Sequence, residues 1–240
     1  MHFLWRVWFA FLGFFGLVIF FPLLWVLLLS KKWYPAFHSV CRLWSKFMLF
    51  GSGFYVDVEF EEDLDPTKPY IICPNHVSYL DIPVIFSIIP SLFVFVGKKS
   101  LSKLPLFGWV YKKTMILVDR SSNRSSYQAY KYASDRISKG VGITIFPEGG
   151  IPEHKVKLQR FKKGAFRMAI EQNVALVPVT FGDNKRCMPG NKFTGQAGKL
   201  KVYVHKPIKA GTYSTESIHE FRDFVFKTIN DKLTYYEGRR

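Results

Sequence analysis

Between Val7 and Leu29 lie 23 consecutive residues without a charge. As a helix this run would be about 35 Å long, enough for a hydrocarbon core of roughly 30 Å. A cleaved secretion signal has an apolar core of about 7–15 residues and then small residues. This run is longer, and Ser30-Lys31-Lys32-Trp33 follows it. A retained membrane element is the better reading, with Gly13, Gly16 and Pro22 expected to weaken its helix midway. From Trp33 to Phe50 the pattern turns amphipathic. Trp33, Phe37, Val40, Cys41, Trp44, Phe47 and Met48 keep helical spacing, while Arg42 and Lys46 share the other side. Residues 1–50 therefore predict a two-helix membrane anchor, either one span plus an interfacial helix or a monotopic pair in one leaflet. Arg6 precedes the run, and Lys31, Lys32, Arg42 and Lys46 follow it. That asymmetry puts the C-terminal domain, residues 51–240, on the cytoplasmic face of a cytoplasmic or inner membrane.

Composition points the same way. The 240 residues carry a net charge of +16 and include 24 Phe. A nucleic-acid partner would account for the charge but not for the Phe, whereas an anionic membrane surface accounts for both. Residues 98–167 alone hold +12, which predicts an anion-binding surface there. Cys41, Cys73 and Cys187 are scattered, so neither a disulfide framework nor a zinc ribbon is expected.

Beyond residue 50 the chain reads as α/β. Phe54–Phe60 alternates like a strand, with Phe54, Val56, Val58 and Phe60 on one face, and Glu61 to Lys68 is an acidic turn. Short β-branched or aromatic runs follow at Tyr70–Cys73, Phe93–Val96, Thr114–Val118, Gly142–Phe146, Val174–Phe181 and Lys201–His205. Helical patterns lie between several of them, at Tyr79–Ile89, Pro105–Lys112, Ser126–Lys139 and Lys163–Gln172, and a last one runs from Thr215 to Leu233. The expectation is a mixed, largely parallel sheet of about seven strands covered by helices.

In such sheets sites gather at the carboxyl ends of strands. Two predicted strands end in polar clusters there. Tyr70–Cys73 runs into Pro74-Asn75-His76 and then Asp81; Gly142–Phe146 runs into Pro147-Glu148-Gly149-Gly150. With His76 in the turn and Asp81 on the first helical turn, the carboxylate can reach one imidazole nitrogen and leave the other as a general base. The competing reading is a histidine that merely caps the helix. A Cys73–His76 nucleophile pair is disfavoured, because Cys73 reads as a small buried strand residue. No GxSxG elbow, phosphate loop or GxGxxG is present, and one imidazole beside Asp81 and Glu148 is thin for a metal, so none is expected.

Asn75-His76-xxxx-Asp81, Asp119-Arg120, Phe146-Pro147-Glu148-Gly149 and Val177-Pro178-Val179, in this order, resemble the four motifs of the glycerolipid acyltransferases. Within that family the bacterial 1-acylglycerol-3-phosphate acyltransferases are the nearest likeness. The stretches Lys98–Trp109 and Phe161–Phe166 also look like that family, and the likeness covers roughly residues 50–210. It implies transfer of an acyl group from acyl-carrier protein or coenzyme A to a lysophospholipid hydroxyl, with no cofactor beyond that co-substrate. By the resemblance His76 removes the hydroxyl proton and Asp81 orients it. Glu148, with amides near Gly149, shapes the acceptor or tetrahedral-intermediate region. Asn75, Lys98, Arg120, Arg124, Lys162 and Lys163 would join them in holding substrate. One position departs from the pattern. The family's third motif continues Glu-Gly-Thr-Arg, and here it is Glu148-Gly149-Gly150-Ile151. A lyso-aminolipid or another lysolipid is therefore the alternative acceptor, and a lipid-surface binding protein or a thioesterase the alternative class.

Overall fold

The structure is a computed structural model that describes residues 2–119, 121–190, 192 and 194–239. In chain order come α1 (His2–Leu27), α2 (Tyr34–Gly51), β1 (Phe54–Phe60), β2 (Ile71–Pro74), α3 (Asp81–Ile88) and β3 (Phe93–Lys98). Then follow α4 (Phe107–Thr114), β4 (Ile116–Val118), α5 (Asn123–Ile137), β5 (Gly142–Thr144) and α6 (Gly164–Glu171). The chain ends with β6 (Leu176–Phe181), α7 (Asn184–Cys187), β7 (Gly198–Val204) and α8 (Ile218–Glu237).

The seven strands form one sheet in the order β1-β7-β6-β2-β5-β3-β4. Five neighbouring strands, β6-β2-β5-β3-β4, are parallel. β7 pairs antiparallel with β6, and β1 runs parallel to β7 along its whole length. The central strands are apolar on both faces: Ile71, Ile72, Cys73, Ile143, Leu176, Val177 and Val179 are inaccessible to solvent. A strand reads as such a continuous apolar run when helices cover both sides of its sheet. β1 is an edge strand with Tyr55 and Val58 in solvent, so only part of its expected face is covered.

The N-terminal helices differ from expectation in three ways. First, α1 runs unbroken through Gly13, Gly16 and Pro22. The glycines are contact points rather than weak points. A Cβ at Gly16 would lie 2.2 Å from the indole nitrogen of Trp44, and one at Gly13 would meet Met48 at 3.5 Å. Absent side chains let α1 lie closely against α2. Second, α1 is held to the body near both ends. Trp5 Nε1 donates to the Ser52 carbonyl at 3.0 Å, and Phe21 meets Trp109 of α4 edge-on at 5.9 Å. Third, α2 is a core helix as much as a surface one. Tyr34, Phe37, Cys41 and Leu49 join the same hydrophobic cluster as the sheet. Arg42 does not face outward as a helical projection suggests. Its guanidinium donates to the carbonyls of Phe86 (3.3 Å) and Pro90 (3.1 Å) and to that of Ile89, capping the carboxyl end of α3. One N-terminal helix, α1, remains apolar over its length, with Phe11, Phe14, Val18 and Trp25 among its exposed side chains. The core therefore does not break at residue 50.

Candidate active site

All the groups that matter sit at one edge, where the parallel strands end. β2 ends at Pro74, and the chain turns through Asn75 and His76 before α3 starts at Asp81. His76 Nδ1 lies 2.8 Å from Asp81 Oδ2. The same oxygen accepts from the amides of Val77 (2.7 Å) and Ser78 (2.9 Å), while Oδ1 accepts from Asn184 Nδ2 at 2.8 Å. Asp81 is wholly buried, so its charge is balanced by these donors rather than by water. With Nδ1 held by a carboxylate, the proton stays there and Nε2 keeps its lone pair. The ring also stacks on Phe146, with centroids 3.9 Å apart and planes 18° apart. The imidazole is thus fixed in position, orientation and tautomer, and its side chain retains 17% exposure.

Glu148 does something other than face a substrate. It is 2% exposed, and its two oxygens accept from the amides of His76 (2.6 Å) and Gln159 (2.9 Å). Burial pushes its carboxyl up to about 7, opposed by these two amides. It staples the histidine turn to the loop after β5. Gly149 has φ +82°, and its amide donates back to Phe146 at 3.0 Å, so that N–H is committed to the turn. That positive φ suits glycine, and a Cβ there would come within 2.8 Å of the Lys162 side-chain end, which would have to shift. Asn75, expected among substrate ligands, is buried with its amide spent on β6. Its Oδ1 accepts from Phe181 N at 2.8 Å and its Nδ2 faces the Phe181 carbonyl at 3.4 Å.

Two concavities meet at this edge. A cleft of about 770 Å³ is lined by Lys98, Lys99, Lys103, Asp119, Gly149 and Gly150. A smaller pocket of about 240 Å³ lies under α5 and α6, lined by Val96, Ala129, Ile145, Phe146, Lys162 and Met168 among others. Both touch Val118 and Gly149, and Phe146 in the second is the residue under the His76 ring. Lys98 and Lys162 therefore come to the site. Arg124, in the first turn of α5, and Lys163, at the start of α6, are exposed and line neither space. Arg120 lies outside the described residues. Ile151 packs against Gly190, whose Cβ would be 2.5 Å from its methyl. Among the described residues no group of three or more metal-ligating side chains comes together.

Several residues of the site carried no sequence signal. Asn184 comes just after β6, 103 positions beyond Asp81, yet its side-chain amide grips Oδ1. Ser78 Oγ donates to the Met188 carbonyl, and Gly190 N donates to Val77 O at 3.3 Å. Arg6 reaches from α1 to the carbonyls of Pro189 (2.6 Å) and Thr194 (3.0 Å) in the same region. Only the rule that polar residues at strand ends form sites could have singled out Asn184.

The Acyltransferase family model matches residues 55–182. The chain belongs to that family. It is 31% identical over 175 residues to a chloroplastic 1-acyl-sn-glycerol-3-phosphate acyltransferase of Arabidopsis thaliana, covering 71% of this chain and 48% of that one. A chloroplastic 1-acyl-sn-glycerol-3-phosphate acyltransferase of Brassica napus is 30% identical, over 85% of this chain and 59% of its own. A Saccharomyces cerevisiae enzyme of the same description is 29% identical, over 75% and 60%. The chain thus spans about half to three-fifths the length of these curated relatives. The crystal structure of a 1-acyl-sn-glycerophosphate (LPA) acyltransferase, PlsC, from Thermotoga maritima superposes with a TM-score of 0.83 at 23% identity, over 99% of this chain and 96% of that one. That likeness is one of fold, and it extends through the N-terminal helices.

Proposed function

We propose that this acyltransferase moves a fatty acyl group from a thioester, acyl-carrier protein or coenzyme A, to the free hydroxyl of 1-acylglycerol-3-phosphate, giving phosphatidic acid. The observation that carries this reading is the His76–Asp81 pair beside the junction of a basic cleft and an apolar pocket. His76 Nε2 takes the acceptor's hydroxyl proton as its oxygen forms a bond to the thioester carbonyl carbon. The carbon–sulfur bond then breaks, and the imidazolium returns the proton to the leaving thiolate. Asp81 holds the ring and stabilises the imidazolium. Lys98, Lys99 and Lys103 suit the acceptor phosphate, and the apolar pocket suits an acyl chain. Transfer is direct, because Cys73 is wholly buried and burial drives its thiol pKa upward, away from the nucleophilic thiolate. Glu148 acts by positioning the His76 backbone.

The same reading puts the enzyme on the cytoplasmic leaflet through α1, with Trp33 just before α2 and Leu43, Phe47 and Phe50 on it at the rim. Attachment of α1 to the body near both ends favours a monotopic arrangement over a span that leaves the domain behind. Ile151, apolar where the family pattern has arginine, favours a second acceptor reading, a lyso-aminolipid. A single assay separates the possibilities. Purified protein is given labelled acyl-carrier protein or acyl-coenzyme A with a panel of lysolipids. Phosphatidic acid as the main product supports the proposal; an acylated aminolipid supports the second acceptor; free fatty acid alone overturns acyl transfer to lipid.

A further inference from the structure

Beside the lysines that suit the acceptor phosphate, the segment between β3 and α4 carries exposed leucines that acyl transfer does not use. A 3-10 turn at Lys99–Lys103 leads through Leu104 and Pro105 into α4. Leu101, Leu104 and Leu106 are 41%, 49% and 42% exposed, interleaved with exposed Lys98, Lys99 and Lys103. The loop is firmly built. Ser102 Oγ donates to the Lys99 carbonyl at 2.7 Å, and Gly108 lies so close that a Cβ would meet the Ser102 carbonyl oxygen at 2.4 Å. At its tip Leu106 has φ 54° and ψ −62°, and Phe107 N donates to the Pro105 carbonyl at 2.5 Å. This is the rare γ-turn with positive φ, a strained conformation for a branched side chain. Glycine would form it at less cost. A leucine stands there all the same, with 42% of its surface exposed.

The loop is also continuous with α1. Three residues after Leu106, Trp109 packs on Phe21 of α1, and one turn further along α1 Trp25 is exposed. Lys98, Lys99 and Lys103 line the basic cleft that runs to Gly149. Leucines among lysines complement one partner best, an anionic phospholipid leaflet, with the methyl groups in the acyl boundary and the ammonium groups at the phosphates.

We propose that residues 99–106 form a second membrane-inserting element, separate from α1, which seals the mouth of the basic cleft against the leaflet so that a lipid acceptor passes from membrane to cleft without crossing water. This rests on the membrane-surface reading given under the proposed function. The same surface could instead receive an acidic carrier protein, and the test distinguishes the two.

The three native cysteines are buried, so a single exposed cysteine can carry a thiol-reactive fluorophore. The full chain would be labelled at Leu104→Cys, at Val18→Cys on α1 and at Glu216→Cys, which is exposed in the loop before α8. Each is mixed with phosphatidylglycerol–phosphatidylethanolamine vesicles carrying lipid quenchers. The expected result is quenching at positions 104 and 18 and none at 216. Quenching at 18 with position 104 left in water overturns the inference and spares the membrane reading; quenching at neither site overturns both. Protection of position 104 by acyl-carrier protein but not by vesicles would assign the surface to that protein instead. A second variant removes the concern over folding. Leu106→Gly relieves the strained φ, so its melting temperature should equal or exceed that of the parent, while vesicle partitioning falls roughly three- to tenfold. Lys99→Gln and Lys103→Gln should each weaken binding to anionic vesicles roughly fivefold and leave binding to neutral ones unchanged. Undiminished partitioning of Leu106→Gly would refute insertion of the tip.

Discussion

Replacing Asp81 by asparagine and by alanine separates what this carboxylate does for the fold from what it does for the reaction. In Asp81→Ala three buried donors, the amides of Val77 and Ser78 and the Asn184 side chain, lose their acceptor. Each unsatisfied donor costs about 1–3 kcal/mol, so the loss approaches the whole stability of an ordinary domain, about 5–15 kcal/mol. Asp81→Asn is different. Its carbonyl oxygen can keep Val77, Ser78 and His76, while its new NH₂ group turns toward Asn184. There the Asn184 Oδ1 has no hydrogen-bond partner among the described residues, so a turn of that amide supplies an acceptor. The fold should survive with a loss of roughly 1–3 kcal/mol as charge-assisted bonds become neutral ones. The histidine tautomer should survive too. Missing is the negative charge beside the imidazolium. A charge pair about 4 Å apart at an effective dielectric near 20 is worth about 4 kcal/mol, which corresponds to roughly a 10³-fold loss of turnover. Labelled phosphatidic acid formation in mixed micelles, with a melting curve on the same sample, measures both terms. Asp81→Asn that keeps a tenth of parental turnover, or that loses turnover only in proportion to its folded fraction, would refute the charge argument.

Other outcomes follow from the same geometry. Arg6→Ala removes two guanidinium bonds to the carbonyls of Pro189 and Thr194, next to the turn bearing His76; turnover should fall roughly tenfold or more while vesicle flotation is unchanged, and Arg6→Lys should recover part of it. Glu148, raised to about 7, binds its proton more tightly folded than unfolded, so its contribution to stability is full below about 4.5 and is lost as pH rises through 7. Glu148→Gln should abolish that decline, about 3 kcal/mol, in melting curves between pH 4.5 and 7.5. His38, lowered to about 4 mainly by burial and then by Arg42, shows the opposite sign: its neutral form is required, so stability falls as pH drops from 6.5 toward 4. Its Nε2 is buried without a partner among the described residues, and His38→Leu should raise the melting temperature at pH 7 and flatten the acid limb. Cys73→Ala should keep most turnover, and an acyl adduct trapped on Cys73 at the rate of catalysis would overturn direct transfer.

The strands were legible because a two-sided apolar run of four to six residues has few other uses. β2 and β6 were placed within two residues at either end, and all seven expected runs became strands. The amphipathic face of α2 was less legible. Periodicity shows which residues share a side, but not what that side meets. Phe37 and Cys41 are buried as expected, yet so are His38 and Ser45, and Phe47 lies in solvent. Arg42 shows the physical reason most clearly. A basic residue on a helix reads as a lipid or water contact, but it can equally satisfy the open carbonyls at another helix's end, and those carbonyls belong to a helix 44–48 residues away.

The site follows the same division. The spacing of His76 and Asp81 was readable because the pair is local, a turn followed by the first residue of a helix. The motif around Glu148 was equally readable, but its direction was not. A carboxylate beside a proposed general base invites a chemical role, and only three-dimensional placement shows both oxygens closed off by the His76 and Gln159 amides. What makes His76 rigid comes from much farther along the chain: Asn184, the Met188 carbonyl, Phe146, and at one remove Arg6 on the apolar helix. A histidine and aspartate five residues apart arise easily by chance. Their chemistry depends on a buried, fully donated carboxylate, and that condition is met by long-range contacts that no local pattern records. The apolar helix α1 is one of those contacts, because Arg6 holds the carbonyl of Pro189, which lies between the Met188 carbonyl bonded to Ser78 and the Gly190 amide bonded to Val77. Removing residues 1–50 would therefore do more than release the protein from a membrane: it would withdraw Tyr34, Phe37 and Leu49 from the core, Arg42 from the end of α3 and Arg6 from the edge of the catalytic turn. A truncated chain that stayed folded and fully active in detergent would contradict this account of how the site is held.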